Sequence, residues 1–166
     1  MALNGLTKYA IVSGANNKVI DAYLAIMKNI PATKKTPELK GVHHIAIICS
    51  DYDRSKKFYT TILGLQIIRE VYREARKSFK LDLAIGDQYV IELFSFPSPP
   101  PRPSTPESCG LRHLAFQVTD VQKSKEALES KGVIVEPVRI DEYTGKRFTF
   151  FADPDGLPLE LYEQQW

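Results

Sequence analysis

One stretch of the sequence occurs twice, and this internal repeat restricts the possible folds more than any other feature. Residues 44–56 read HIAIICSDYDRSK and residues 113–125 read HLAFQVTDVQKSK. The His, Ala, Asp, Ser and Lys positions coincide without a gap, at a constant spacing of 69 residues (44 to 113). Agreement at this density indicates a duplicated unit, so the sequence predicts a domain built from two copies of one module.

Each copy has the pattern of a strand, a helix and three further strands. Apolar, β-branched runs predict the strands, and Asp51 and Asp120 follow the first strand of each copy as typical helix N-caps. Both predicted helices end next to a glycine. In the first copy the strands are predicted over 42–49, 65–72, 78–85 and 89–96 and the helix over 52–63; in the second, the strands over 111–118, 133–140, 147–151 and 157–162 and the helix over 121–131. The predicted fold class is therefore α+β, with two βαβββ modules.

The repeat leaves two other segments. Residues 1–40 are predicted to form an N-terminal extension with one amphipathic helix, over 17–30, and a linker rich in Lys and Pro. The domain then spans 41–166, with module one over 41–97 and module two over 107–163. Between them, residues 97–106 contain six prolines, which favour a stiff and extended connector.

Composition and charge exclude several functional classes. The net charge of +2 comes from 22 basic and 20 acidic residues, too even a balance for a nucleic-acid-binding protein. No apolar run reaches membrane-spanning length, and the N-terminus lacks a secretory signal pattern, so we expect a cytoplasmic protein acting on a small molecule. In that compartment Cys49 and Cys109 are expected to be free thiols.

Four polar residues stand in otherwise apolar strands and form a candidate metal site. His44 and His113 occupy the same repeat position, and Glu92 and Glu160 lie in the last strand of their modules. Burying an unpaired carboxylate is costly, so each glutamate needs a partner. Side-chain alternation places each histidine and glutamate on the polar side of its strand. The set suits one divalent ion per site, such as Ni²⁺, Zn²⁺, Co²⁺, Fe²⁺ or Mn²⁺.

Other polar residues have structural interpretations. A single strand histidine usually has a structural hydrogen bond, and a single strand glutamate usually faces solvent. Alternation predicts that His43 points away from His44 and is not a ligand. The basic residues between Arg69 and Lys80 could form an anion site, although a solvated, charged pair of strands is the favoured interpretation.

From about Gly41 to Glu163 the chain resembles the vicinal oxygen chelate superfamily, which includes glyoxalase I. The matching motifs are HIAI (44–47), VIEL (90–93), LRHLAF (111–116), DPDG (153–156) and LEL (159–161). The resemblance implies paired βαβββ modules around a metal ion and a homodimer. Whether one chain supplies a whole site or two chains share each site stays open, although the stiff connector favours sharing between chains.

The ligand order His, Glu, His, Glu resembles that of glyoxalase I. Ring-cleaving dioxygenases and fosfomycin-resistance thiol transferases typically use three ligands, and methylmalonyl-CoA epimerases typically have Gln in place of Glu92. The resemblance thus implies a metal-dependent, lactoylglutathione lyase-like enzyme that isomerises a hemithioacetal of methylglyoxal, with Glu160 as general base.

One departure concerns the thiol. Glutathione-dependent relatives typically have an Arg and an Asn where this chain has Ile48 and Phe96, which predicts weak or no use of glutathione. The alternatives within the superfamily are a non-catalytic protein that binds a metabolite or drug, a dioxygenase and a thiol transferase.

Overall fold

The computed structural model describes Asp21, Ala25 and residues 37–164. The chain divides into two compact units, Met1–Gly41 and Val42–Trp166. The predicted helix over 17–30 lies outside the described residues, except for Asp21 and Ala25, which are helical. Among the helices that the structure describes, none is long and apolar enough to cross a membrane.

The second unit consists of two βαβββ modules. Module one contains β1 (Ile45–Cys49), α1 (Tyr52–Lys57), β2 (Gln66–Arg73), β3 (Ser78–Ile85) and β4 (Gln88–Ser95), and module two contains β5 (Leu114–Val118), α2 (Val121–Glu129), β6 (Arg139–Ile140), β7 (Arg147–Ala152) and β8 (Pro158–Glu163). The strand orders are β1-β4-β3-β2 and β5-β8-β7-β6. In each sheet the first strand pairs in parallel with the last, and the other pairings are antiparallel. The predicted fold class is confirmed.

Several predicted elements differ in extent, and the first strand of each module begins three residues later than predicted, at Ile45 and Leu114. The first helix is α-helical only over Tyr52–Lys57 and continues as a π-helical segment, Phe58–Ile62, before Gly64 turns the chain with a φ of 81°. The predicted strand over 133–140 was wrong in length. Only Arg139–Ile140 forms a ladder, preceded by one isolated bridge from Val135 to Phe151. Pro137 lies between these pairings and has no amide hydrogen to donate, which accounts for the interruption.

Each sheet has a core face and an open face. Alternate residues of β3, β4 and β8, such as Leu81, Leu93 and Leu159, are completely buried in a core to which both modules contribute. The residues between them point the other way, and on β1 this open side includes Ala46 and Ile48. His44 precedes Ala46 by two residues, and Glu92 lies between the buried Ile91 and Leu93, so both side chains belong to the open face. The fold thus separates these polar side chains from the apolar core.

An aspartate turn at 153–156 joins the two modules. Tyr59 in module one is fully buried and donates a hydrogen bond of 2.9 Å to Asp153 Oδ2. Asp155 accepts hydrogen bonds from the Ser50 amide at 2.9 Å and from Arg54 Nη2 at 3.1 Å. The sequence predicted only a turn here. In the structure the same turn is also a polar contact that binds module two to module one.

Candidate metal centre

Module one brings His44 and Glu92 together at the edge of its open face. His44 immediately precedes β1, and its Nε2 lies 3.2 Å from Glu92 Oε2 on β4. The parallel register places Ala46 opposite Glu92, so the histidine two residues earlier can reach the carboxylate. Both side chains are partly exposed, at 34% and 14%. Solvent and ligands can therefore reach this pair.

Module two repeats this arrangement in the same register. His113 immediately precedes β5, and its Nε2 lies 3.1 Å from Glu160 Oε2 on β8. Here Ala115 stands opposite Glu160, as Ala46 stands opposite Glu92 in module one. Both modules therefore have the same strand register, and in both the histidine Nε2 faces a glutamate oxygen.

The four predicted ligands come together as two pairs. Among the described residues, no three His, Cys, Asp or Glu side chains converge at a point that could hold a metal ion. The pair in module one and the pair in module two belong to two separate sheets. One chain therefore presents two half-sites, each with one imidazole and one carboxylate.

The geometry of each pair fits half of a divalent metal site. Nitrogen and oxygen ligands bind ions such as Zn²⁺ at about 2.0–2.2 Å, so two ligands at right angles lie about 3 Å apart. The observed separations are 3.2 Å and 3.1 Å. A hydrogen-bonded ion pair has a similar separation, so the spacing fits a metal ion without requiring one. The Nδ1 of His113 is buried and has no hydrogen-bond partner among the described residues.

His43 has a different position from the one predicted. Its Nδ1 lies 2.7 Å from Nδ1 of His44, and the two rings meet edge to face. The alternation argument was wrong because both histidines precede the first residue of β1, where strand geometry does not yet apply. A histidine that binds metal through Nε2 carries its hydrogen on Nδ1 and usually donates it to a partner. His43 is placed to accept that hydrogen.

Glu92 lies within a charged network on module one. Lys80 Nζ and the Tyr89 hydroxyl each lie 2.5 Å from its Oε1, and both also contact Asp82, which accepts a further hydrogen bond from Arg69. Burial raises the pKa of Glu92, but the hydrogen bonds from Lys80 and Tyr89 outweigh that effect, and the net pKa lies below its ordinary value. Glu92 therefore remains a carboxylate with one oxygen, Oε2, directed towards His44.

Glu160 has apolar surroundings instead. The cross-strand neighbour of Glu160 is Phe150, at the position where module one has Asp82 opposite Glu92. Burial raises the pKa of Glu160 above its ordinary value, and the nearby His113 offsets this only in part. Glu160 is 8% exposed and borders a cavity of about 1100 Å³. Of the two carboxylates, it is the one suited to accept a proton.

The residues expected at the glutathione subsite are apolar in three dimensions as well. Ile48 lies on the open face of β1 and is 55% exposed. The Phe96 ring stacks near Phe94, with 6.1 Å between ring centroids. Neither can replace the hydrogen bonds of an arginine or an asparagine.

Sequence reasoning missed the neighbours of Glu92. Lys80 and Asp82 alternate with Leu81 and Leu83 along β3, so the alternation used for the other strands would have placed both on the open face. Tyr89 carried no such signal. Its contact with Glu92 depends on the turn between β3 and β4.

Comparison with known proteins gives the family. The model of the Glyoxalase/Bleomycin resistance protein/Dioxygenase superfamily matches residues 41–161. The chain belongs to this superfamily. It is 67% identical over 126 residues to the uncharacterized protein YaeR of Escherichia coli (strain K12), covering 76% of this chain and 98% of that protein.

Two further relatives extend the comparison. The crystal structure of a glyoxalase family protein from Enterococcus faecalis is 47% identical and superposes with a TM-score of 0.71, covering 75% of this chain and 98% of that one. A 2-epi-5-epi-valiolone epimerase from Actinomyces sp is 30% identical, covering 75% of this chain and 80% of the enzyme.

Proposed function

We propose that this protein is a metal-dependent isomerase of the glyoxalase I type, with active sites shared between the two subunits of a homodimer. The observation that carries the proposal is the repeated half-site, in which Nε2 of a histidine lies 3.1–3.2 Å from a glutamate oxygen in each module. Two such pairs supply the ligand set His, Glu, His, Glu.

The position of the pairs supports sharing between chains. Each pair lies on the open side of its own sheet, and together they form two incomplete sites per chain. A two-fold axis that sets module one of one subunit against module two of the other completes both sites at once. The site would then contain His44 and Glu92 of one chain with His113 and Glu160 of the partner subunit. The same contact would cover exposed apolar side chains such as Ile48.

The two glutamates have different roles in this proposal. A divalent ion held by the four ligands would polarise a substrate carbonyl and stabilise negative charge on the substrate oxygens. Glu92, held by Lys80 and Tyr89, is a fixed ligand. Burial raises the pKa of Glu160 in the metal-free protein, and Glu160 would be the general base that removes the proton from the carbon next to the carbonyl group and returns it to the carbonyl carbon. In a hemithioacetal this transfer, together with movement of the hydroxyl proton to the former carbonyl oxygen, gives a 2-hydroxy thioester.

Epimerisation is the second candidate reaction, because it begins with the same step. Removal of a proton next to a carbonyl, followed by its return to the opposite face of the same carbon, inverts the configuration. The 30% identity to an epimerase of 2-epi-5-epi-valiolone favours this candidate. Incubation in D₂O separates the two reactions, since an epimerase incorporates deuterium without changing the connectivity of the substrate.

Subunit mixing tests the shared site. His44→Ala and Glu160→Ala each damage both sites of their own homodimer. After subunit exchange in equal amounts, about half of the dimers contain one of each chain. Each such heterodimer has one site with all four ligands, so about a quarter of the wild-type metal content should return. Restoration near zero, with exchange verified by mass spectrometry, contradicts sharing.

A second pair of variants is the matched control. His44→Ala and Glu92→Ala damage the same half-site, so no heterodimer of these two chains regains a complete site. Metal content should stay low in this mixture. Equal recovery in both mixtures would show that the variants retain metal in some other way and would refute the assignment of the ligands.

Turnover with different thiols tests the substrate. Because Ile48 and Phe96 replace the arginine and asparagine that glutathione-dependent relatives typically have, the hydrogen bonds of those two side chains are lost and the glutathione adduct of methylglyoxal should be a poor substrate. A kcat/KM on the order of 10⁴ M⁻¹s⁻¹ or more with glutathione would show that this inference is wrong. Turnover of another thiol adduct at that level would support the proposed reaction.

A further inference from the structure

The open face of module one has an arginine that the proposed chemistry does not use. Arg73, the last residue of β2, extends across the sheet and places its guanidinium carbon 4.7 Å from the centroid of the Phe94 ring and 5.5 Å from that of Phe96. Its Nε and Nη2 donate to Oγ of Ser78, which is completely buried. The guanidinium is therefore held on one face by two rings and along one edge by a hydroxyl.

This arrangement leaves the other edge of the guanidinium free. Within the described residues, Arg73 forms no ion pair with a carboxylate, whereas Lys80 beside it contacts both Asp82 and Glu92. An arginine fixed in this way presents Nη1 and Nη2 as a fork that matches the two oxygens of a carboxylate or a phosphate. Because its orientation is already fixed, binding an oxyanion costs little side-chain entropy.

Module two provides an internal comparison. Arg139 on β6 lies in the same way over two rings, 5.0 Å from Phe148 and 5.5 Å from Phe150. Its Nη2, however, lies 2.8 Å from a carboxylate oxygen of Glu136. The arginine in module two is thus already neutralised, and the one in module one is available.

The position of Arg73 relative to Glu92 sets the length of a ligand. Phe94 follows Glu92 by two residues on the same face of β4, which separates them by about 6.7 Å along the strand. The guanidinium carbon lies 4.7 Å from the Phe94 centroid, so an oxyanion bound to Arg73 would lie on the order of 10 Å from the Glu92 carboxylate. The aromatic surface between them would contact an apolar chain.

We infer that Arg73, with the rings of Phe94 and Phe96, forms an oxyanion subsite, and that the substrate has a carboxylate or phosphate roughly 10 Å from its metal-chelating oxygens. The inference rests on the proposed function for the chemistry at the chelating end. It describes a second point of recognition, and it does not depend on which reaction Glu160 catalyses.

Two hydroxamates test the subsite, because they share a chelating head and an eight-carbon chain. Suberic monohydroxamic acid ends in a carboxylate, and octanohydroxamic acid ends in a methyl group. Titration calorimetry on the Ni²⁺-loaded protein should show tighter binding of the acid to the wild type. Arg73→Met, which keeps the stem over the rings, should weaken the acid about tenfold or more and leave octanohydroxamic acid within about twofold.

Further variants keep the test decisive. Arg76→Met removes an exposed arginine three residues away and should leave both affinities unchanged. Arg73→Lys keeps the charge but loses the fork, so its affinity for the acid should be intermediate. If Arg73→Met binds the acid as the wild type does, or weakens both hydroxamates equally, the subsite is refuted. Dissociation of the Arg73→Met dimer in light scattering would assign the arginine to the subunit interface and refute the subsite as well.

Inorganic phosphate separates this inference from the proposed function. The metal-free protein is titrated with phosphate. The amide and guanidinium NMR signals of Arg73 should shift in the wild type, whereas the amide signal of residue 73 should not shift in the Arg73→Met variant at the same concentration. If the wild type binds no metal, the proposed function fails, and the phosphate titration still decides the subsite. If metal and turnover are confirmed but phosphate shifts no signal near Arg73, the subsite alone fails.

Discussion

The hydrogen bond from Tyr59 to Asp153 should be one of the largest single polar contributions to the stability of the second unit. The tyrosine is completely buried, and the carboxylate is 6% exposed. Burial and the adjacent carboxylate raise the pKa of Tyr59, so the hydroxyl remains protonated and donates at 2.9 Å. Tyr59→Phe removes this donor and leaves the ring in place.

The expected loss follows from the charge on the acceptor. A hydrogen bond to a charged group contributes about 1.5–3 kcal/mol to the free energy of unfolding. The other Asp153 oxygen keeps its amide donors from Asp155 and Leu157, at 2.9 Å and 2.8 Å, so the turn itself should persist. For a unit of this size, about 4 °C of melting temperature corresponds to each kcal/mol, which predicts a decrease of about 6–12 °C.

Tyr52→Phe is the matched control. Its hydroxyl donates to Glu70 at 2.7 Å in an exposed position, where the same deletion should cost less than about 1 kcal/mol. Urea denaturation of both variants, followed by circular dichroism, measures the two free energies. A double-mutant cycle of Tyr59→Phe with Asp153→Asn should give a coupling energy above about 0.5 kcal/mol. If Tyr59→Phe costs no more than Tyr52→Phe, or the coupling is zero, the proposed contribution of this contact is wrong.

Three further predictions concern the charged residues. His43→Ala should weaken Ni²⁺ binding by about tenfold in a competition titration, because His44 loses the acceptor for its Nδ1 hydrogen; unchanged affinity would show that the contact has no orienting role. Burial raises the pKa of Glu160 in the folded state. The metal-free protein should therefore lose stability as the pH rises from 4.5, the pKa in the unfolded state, through the higher pKa in the folded state. Glu160→Gln should remove this loss and raise the melting temperature at pH 7. A hydrogen bond from Lys56 lowers the pKa of Glu70, so this pair should stabilise the protein above pH 4.5 and lose its effect as the pH falls through the pKa of Glu70 in the folded state. Glu70→Gln should lower the free energy of unfolding by less than about 1 kcal/mol at pH 7 and leave it unchanged at low pH, as measured by urea denaturation.

The sequence predicted the fold class because the repeat supplied two independent observations of the first strand and the helix of each module. The β1 and β5 strands, their following helices and the ligand positions could each be checked against the other copy. Boundaries were less accurate where one residue breaks a pattern, as Pro137 does in the strand predicted over 133–140. The π-helical segment after Lys57 changes no hydrophobic pattern, so it could not be predicted.

The candidate site was predictable at the level of residue type and only partly at the level of arrangement. Alternation along strands placed Glu92 and Glu160 correctly on open faces, but it failed for His43, which lies just outside β1. One pair per module was predicted, but whether the two pairs meet within one chain could not be, because that depends on how the two sheets pack in space. Contacts such as Lys80 with Glu92 join neighbouring strands, and their register has to be known before they can be found.

The divergence of the two open faces has a consequence for how the modules can combine. Where module one has Lys80 and Asp82, module two has Phe148 and Phe150 at the equivalent register positions. Two copies of module one facing each other would bring four carboxylates and two lysines together in a confined space. Two copies of module two would instead bring aromatic rings together, with Arg139 already paired with Glu136. Only the combination of module one with module two places a charged surface opposite an apolar surface. In the proposed dimer, a substrate bound between module one and module two would therefore meet a charged surface on one side and an aromatic surface on the other.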